Sequence, residues 1–467
     1  MTIVEGTAVR GYQGIRNRIW APLERRPVAC LTFLYLLCVL AFLASTQLHH
    51  VDGHLTGSDG AYYYSYLPSL ILDHDLDFTN QYAELVSGRE TSRLRAIEGR
   101  PPNKYTIGSA VLWTPFFLIG HLLVLAVRAA GFPIPPDGIG YLYQIPTMLG
   151  SITYGFAGVL LLYWSCRRFF SRRVSAFSSI LIWLATNLIY YMIAEPSMSH
   201  ACSFFATALF LTLWLSFRPD PTLSQWLLLG LSGGLITLVR PPDATWLVLP
   251  AIDLALSAGR GWKGRLLRST RGLVVLGMVA GIVFLPQFLL WQALDATPTI
   301  DGHASFTQYP VHFHWFSPHI LSLLFSLHHG LFSWHPVLLF GAAGLFLLYR
   351  KNRALTLSLS IGFALQACVI GAWYGWPGGH AFGSRMLISS LPALAFGLAA
   401  LTEWAAERRA SAPILAAFAF IVWNALFFIQ YRFGYIPKLS PITFHQMTVG
   451  KFEMLRDLPS RLQSMLQ

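Results

Sequence analysis

Apolar runs of about 17 to 24 residues, separated by short basic segments, recur from Val28 to Tyr431. A helix of that length covers a hydrocarbon core of about 30 Å, and within such a core a helix satisfies all of its own backbone polar groups. The expected fold class is therefore all-α, a polytopic membrane helical bundle. The chain is 54% hydrophobic and 12% charged, against about 25% charged residues in soluble domains. The first run, Val28 to Gln47, is longer than a secretory core and lacks a small-residue cleavage site, so it reads as a retained helix.

The net charge of +12 does not imply nucleic acid. Its basic residues gather in short loops between apolar runs, where positive charge sets membrane orientation. Cys30, Cys38, Cys166, Cys202 and Cys368 lie in or beside apolar runs with no CxxC spacing, which reads as buried thiols.

Placing Arg16, Arg18, Arg25 and Arg26 on the cytoplasmic side sends the segment after Gln47 outside. The basic loops Arg167–Arg173, Arg260–Arg271, Arg350–Arg353 and Arg408–Arg409 then belong inside. Spans near 174–193, 198–217, 223–239, 243–258, 272–293, 333–349, 354–374, 386–403 and 412–431 satisfy that parity. Between Gln47 and Arg167 two runs remain, near 107–128 and 141–164, and only one of them can cross. The first contains Pro115, Gly120 and His121 and continues a polar stretch, so it is expected to lie embedded in the outer leaflet. The His-rich segment 317–334 is expected to be interfacial. About eleven spans result, with a basic arm over 1–27, a membrane domain over 28–431, a first outer loop over 48–141 carrying juxtamembrane helices, and an amphipathic outer tail over 432–467 interrupted by Pro459. The expected location is the plasma membrane, with the N-terminus cytoplasmic. Compact loops and the absence of Asn-x-Ser/Thr sites fit a bacterial inner membrane.

On this map the 15 histidines fall on or near the outer side, which makes the outer loops the functional ones. The part of the first before the 107–128 run holds Asp52, Asp59, Asp73, Asp75, Asp77, Glu84, Glu90 and Glu98, eight of the 21 acids. Asp59 follows Gly57-Ser58 and precedes Gly60 and the run Tyr62-Tyr63-Tyr64-Ser65-Tyr66, an aromatic stretch suited to the headgroup level. It reads either as a helix N-cap or as a chemical group at the membrane surface. Asp73-His74-Asp75-Leu76-Asp77 offers carboxylates and imidazole for a divalent cation, or a solvated turn. Lys104, before Tyr105, can snorkel to headgroups or grip a phosphate.

Glu195 and His200 flank a turn through Pro196 between two runs. A carboxylate so near hydrocarbon is expensive unless used or paired. Arg240, in Val239-Arg240-Pro241-Pro242-Asp243, can make a bidentate phosphate contact or pair locally with Asp243. The most distinctive loop runs from Trp373 through Gly378-Gly379-His380-Ala381-Phe382-Gly383-Ser384 to Arg385. Its glycines permit close backbone approach and its aromatics can stack on a sugar. His328, His329 and His335 read as interfacial hydrogen-bonders.

In order and sidedness, Gly57-Ser58-Asp59-Gly60, Asn103-Lys104-Tyr105, Ala194-Glu195-Pro196, Val239-Arg240-Pro241 and Gly379-His380-Ala381-Phe382-Gly383-Ser384-Arg385 resemble the GT-C glycosyltransferases. The chain is most similar to the bacterial branch of protein mannosyltransferases and lipid A aminoarabinose transferases. The resemblance implies a polyprenyl-phosphate-linked sugar as donor and a lipid, glycan or protein acceptor at the outer face. Asp59 would be the general base of an inverting transfer, and Glu195 would orient the acceptor. Lys104, Tyr105, Arg240, His380 and Arg385 would bind the lipid phosphate and sugar. A divalent cation, Mg or Mn, would be held by Asp59, Glu195 and His200. The chain departs from the family in having no Asp-Glu pair after the first helix and no Asp-x-Asp in the second outer loop.

Two other functions share the outer cations. A transporter or flippase of lipid-linked saccharides predicts symmetry between halves and ionisable residues at mid-membrane depth, for which Asp253 is the chief candidate. A polymerase or ligase of lipid-linked glycans does not require Asp59.

Overall fold

The computed structural model describes residues 20–46, 54–57, 59–86, 101, 103–256, 262–294, 297–298, 304–305, 312–408 and 411–466. Arg16, Arg18, Asp52, Ser58, Glu90, Glu98 and Arg260 lie outside the described residues. The fold is helical throughout, save for an antiparallel pairing of Thr297–Pro298 with Ala304–Ser305. Among the described residues eight helices are long and apolar enough to cross a membrane: Pro27–Ser45, Gly108–Ala129, Tyr141–Cys166, His200–Phe217, Ser269–Ala293, Arg353–Ala372, Arg385–Arg408 and Ala412–Arg432. The apolar helices Leu223–Val239 and Pro336–Lys351 are shorter.

The difference from eleven uniform spans has local causes. The run expected over 174–193 is broken into Arg172–Leu184 and Leu188–Ile193. The carbonyls freed at the break do not go unbonded, because the Asn424 side chain donates to Leu184 O at 2.9 Å and to Thr186 O at 2.8 Å. A buried carbonyl without a partner costs about 1–3 kcal/mol, so Asn424 is what makes the break tolerable at depth. The run expected over 243–258 is also split. Pro241, Pro242 and Pro250 lack the amide protons of a regular helix, and the chain forms a 3-10 turn over Pro241–Val248 followed by Leu249–Leu256.

The Gly108–Ala129 helix is continuous over 22 residues. It packs antiparallel on Tyr141–Cys166, with Gly120 against Leu142 and Tyr143 and Phe116 against Gly150. Although it is long enough to cross, both its flanks return to one short helix, Asp59–Pro68. Before it, Tyr105 O accepts from Tyr66, and after it Gly138 O accepts from Tyr64. The segment expected to be interfacial, 317–334, forms two short helices, Ile320–Phe325 and Leu331–Trp334.

The tyrosine run differs from its expected place at the headgroups. Tyr62, Tyr63, Tyr64 and Tyr66 are all buried inside the protein. Two of the phenols reach backbone carbonyls as noted above, which gives their polar ends partners while the rings fill the core.

The tail also differs from expectation. Gly450–Leu466 runs as one helix through Pro459. The carbonyl that Pro459 leaves without a donor belongs to exposed Leu455, where water can serve it. Phe452 and Leu455 are exposed, and the helix is buried instead through Lys451 and Met454. The Lys451 ammonium sits 3.3 Å from the Trp423 ring centroid and 3.6 Å from that of Phe427, and donates to Trp423 O at 3.4 Å.

Burial pushes the Lys451 amine down to about 6, below its unfolded value of about 10.4. The unfolded tail therefore binds more protons between these values, so docking strengthens as pH rises from about 6 and is weakest below it. The slope is on the order of 1 kcal/mol per pH unit. Lys451→Met is expected to abolish it, read as protection of the 444–466 segment from proteolysis across pH 6–9 against wild type at each pH. A variant tail that loosens at low pH as the wild type does would refute this.

Candidate active site

Asp59 opens the Asp59–Pro68 helix, and two side chains from distant segments hold its carboxylate. Arg385 Nη2 donates to Oδ2 at 2.8 Å and the Tyr105 hydroxyl to Oδ1 at 2.6 Å. Burial, with Asp59 beside it, pushes the Tyr105 phenol well above its usual value, so it stays a donor. Asn103 ties this loop to the helix, donating to Tyr62 O and accepting from Tyr105 N. Gly60 lets the helix approach the 194–199 loop, since a Cβ there would stand 2.1 Å from Ser197 Oγ.

Arg240 is buried at the far wall of the same cleft. Its guanidinium bonds to His200 Nδ1 at 3.0 Å, to Met386 sulfur at 2.9 Å and to Arg385 O at 3.4 Å. Every one of these acceptors is neutral. By accepting at Nδ1, His200 is assigned as the Nε2–H tautomer. The alternative of a local side-chain pair with Asp243 is not realised as a hydrogen bond: Asp243 N donates to Arg240 O at 2.9 Å, but its buried carboxylate accepts from Ser203 at 2.6 Å, Ser389 at 2.8 Å and Gln366 at 2.9 Å. Arg240 thus makes no hydrogen bond to a carboxylate among the described residues, while the buried Asp243 acts on it through space.

Asp59, Tyr63, Tyr105, His200, Arg240 and Arg385 line one partly open cleft. Lys104 does not line the cleft; its ammonium stands 5.2 Å from the ring centroid of Tyr105, which does. Glu195 lies next to the cleft rather than in its wall and accepts from the Tyr190 hydroxyl at 2.9 Å. Burial raises its carboxyl above the usual range, opposed chiefly by Arg385 and by the Tyr190 bond. His380 is exposed. Partial burial, with Lys438 and Arg385 near it, holds its imidazole below the usual value.

The loop carrying Arg385 is anchored by Phe382, whose ring stacks on Tyr190 at 4.7 Å and whose N–H donates to the Tyr191 hydroxyl at 3.0 Å. Gly383 is required on two counts. Its φ is +66°, and a Cβ there would stand 2.3 Å from His335 Nε2.

The structure does not gather Asp59, Glu195 and His200 as metal ligands. Their polar atoms face Arg385 and Tyr105, Tyr190, and Arg240 respectively, and among the described residues no group of three His, Cys, Asp or Glu could hold a metal ion. Asp73, Asp75 and Asp77 instead cap a polar turn: Asp73 accepts from Asn80 and Gln81, Asp75 from Ser69, and Asp77 from Thr79. Asp253 pairs with Arg218, whose Nε donates to it at 2.9 Å. The sequence singled out neither Tyr63, which lines the cleft, nor Tyr190, which donates to Glu195, as candidate site residues. A tyrosine beside the second loop's acid, at Tyr190, was the one available local signal.

No protein-family model and no curated protein matches this sequence. Among solved structures, ArnT from Cupriavidus metallidurans bound to undecaprenyl phosphate is similar over 93% of this chain and 73% of that one, at 14% identity and a TM-score of 0.49. An oligosaccharyltransferase from Archaeoglobus fulgidus, solved in complex with Zn and sulfate, is similar over 89% of this chain and 54% of its own, at 14% identity and a TM-score of 0.48. This chain thus spans about half the length of the archaeal protein.

Proposed function

We propose that this chain is a membrane glycosyltransferase that moves a sugar from a polyprenyl-phosphate donor to an acceptor hydroxyl at the outer face of a bacterial inner membrane. The observation that carries the proposal is a carboxylate and a buried guanidinium lining one cleft: Asp59 is held by Arg385 and Tyr105, and the hydrogen-bond acceptors of Arg240 are all neutral.

In this reaction Asp59 takes the proton of the acceptor hydroxyl. A carboxylate offers about four lone-pair sites, so being held by Tyr105 and Arg385 is compatible with also accepting from the hydroxyl. The hydroxyl oxygen forms a bond to the anomeric carbon as the bond from that carbon to the phosphate oxygen breaks. Attack opposite the leaving group inverts the configuration. The electron pair leaves with the polyprenyl phosphate, whose charge grows in the transition state. Arg240 and Arg385 are fixed by their own hydrogen bonds before the reaction begins, so they stabilise that charge without reorganising. Lys104, next to Tyr105, adds a further cation, His380 binds the sugar, and Glu195 orients the acceptor.

The test is release of polyprenyl phosphate by the purified protein from a panel of polyprenyl-phosphate sugars, with a membrane extract as acceptor. Release dependent on acceptor is expected with at least one donor. Tight donor binding without release across the panel would reject the transferase and favour a transporter of lipid-linked saccharides.

A further inference from the structure

The first spanning helix does not continue straight from the chain before it. The backbone is helical over 20–25, leaves helical geometry at Arg26 and resumes at Pro27, because a residue before proline is pushed out of the helical region. Trp20 packs on Phe177 at 5.0 Å, with the Arg173 guanidinium 5.7 Å from its ring centroid, and this seats the 20–25 segment on the Arg172–Leu184 helix. It is the end of the bundle opposite the cleft. The Tyr141–Cys166 helix starts beside Gly138, which accepts from Tyr64 in the helix that Asp59 opens, and it ends just before Arg167. Between the first helix and the Arg172–Leu184 helix lies an open groove. Ala29, Phe33 and Leu34 form one wall, Ile180 stands on the other, and Arg25 and Arg26 line the end where the first helix begins.

Charge and exposure decide the occupant. No acidic residue lines the groove, both arginines are exposed, and among the described residues neither makes a side-chain hydrogen bond or ion pair. Phe33 is 60% exposed, on a helix whose apolar stretch is only 17% buried within the protein, so that face meets bilayer lipid. Arg26 to Phe33 is about two helical turns, about 10 Å, which sets the cations at headgroup level and the apolar wall in the hydrocarbon. Guanidinium groups take phosphate oxygens in pairs, and basic pockets between spanning helices hold anionic headgroups. We propose that this groove binds an anionic phospholipid of the leaflet opposite the cleft, with one acyl chain along Ala29, Phe33 and Leu34 and its phosphate at Arg25 and Arg26. A lipid seated there touches both the first helix and the Arg172–Leu184 helix and ties them together. The site does not depend on the transferase reading, and its test needs no activity.

The experiment replaces Phe33 by photoreactive benzoylphenylalanine in the full-length chain. The protein is placed in vesicles of equal phosphatidylglycerol and phosphatidylcholine and irradiated, and the adduct is identified by mass spectrometry. Each cation at an anionic headgroup contributes about fivefold in binding, so phosphatidylglycerol adducts are expected to exceed phosphatidylcholine adducts by about tenfold or more. In Arg25→Gln/Arg26→Gln the ratio is expected to fall to about one. Arg350→Gln/Arg353→Gln serves as the control. Both residues flank Lys351, which stands 5.5 Å from the Phe170 ring at the same end of the bundle, and neither lines the groove, so the wild-type ratio is expected to persist. Equal adducts from the two lipids, or an equal fall in both double variants, would overturn the site, because any lipid or any surface charge would then serve. An adduct to residues 1–19, a cross-linked pair of chains, or no lipid adduct at all would also overturn it, since something other than phospholipid would then fill the groove.

Discussion

Asp59→Asn is expected to lower acceptor-dependent release of polyprenyl phosphate by about 10²- to 10⁴-fold, the range contributed by a positioned general base. The amide is nearly isosteric, so it can still accept from one neighbour, but it cannot take a proton. Donor binding is expected to change little, because the phosphate seat at Arg240 is built from His200, Met386 and the Arg385 carbonyl rather than from Asp59. The measurement is single-turnover release alongside equilibrium binding of the same donor. A variant that turns over within about threefold of wild type would remove Asp59 from the proton transfer, since base catalysis contributes at least about 10²-fold.

Arg385→Met is expected to cost about 10²- to 10³-fold in turnover, as removing one preorganised donor to a developing negative charge does elsewhere. It also deprives Asp59 of the cation that sets its direction. Because both side chains act through one ion pair, the Asp59→Asn/Arg385→Met double variant is expected to lose about as much as the worse single variant. Losses that multiply would mean that the two residues act independently. Arg385→Lys keeps the charge but lacks the planar fork that spans Asp59 and a phosphate, so an intermediate loss is expected. Size-exclusion profiles of each variant separate lost chemistry from lost folding.

Much of the site was legible in the chain. Asp59, Tyr105, Arg240 and Arg385 stand in separate short strings between apolar runs, and the fold brings all four to one cleft. They were legible because a charged residue at the edge of a hydrocarbon span is costly and therefore conspicuous. What each residue touches was not. Arg240 had an acid three positions away, yet the fold turns it to His200 and commits Asp243 to Ser203, Gln366 and Ser389. His200 looked available as a metal ligand until its Nδ1 was found facing a guanidinium. Lys451 carried no signal, since a lysine in a polar tail looks the same whether it stays in water or folds back.

The sequence by itself determined the class of molecule. Apolar length dictates helices, because a chain in hydrocarbon must bond its own backbone, and the sparse charges mark the loops where chemistry can occur. The tertiary structure alone decided where those helices break, which carboxylate meets which cation, and where the tail returns. Asn424 serves carbonyls 238 and 240 residues away, and Arg385 meets Asp59 across 326 residues. Such pairings depend on how whole helices pack, and no local pattern of residues encodes that packing.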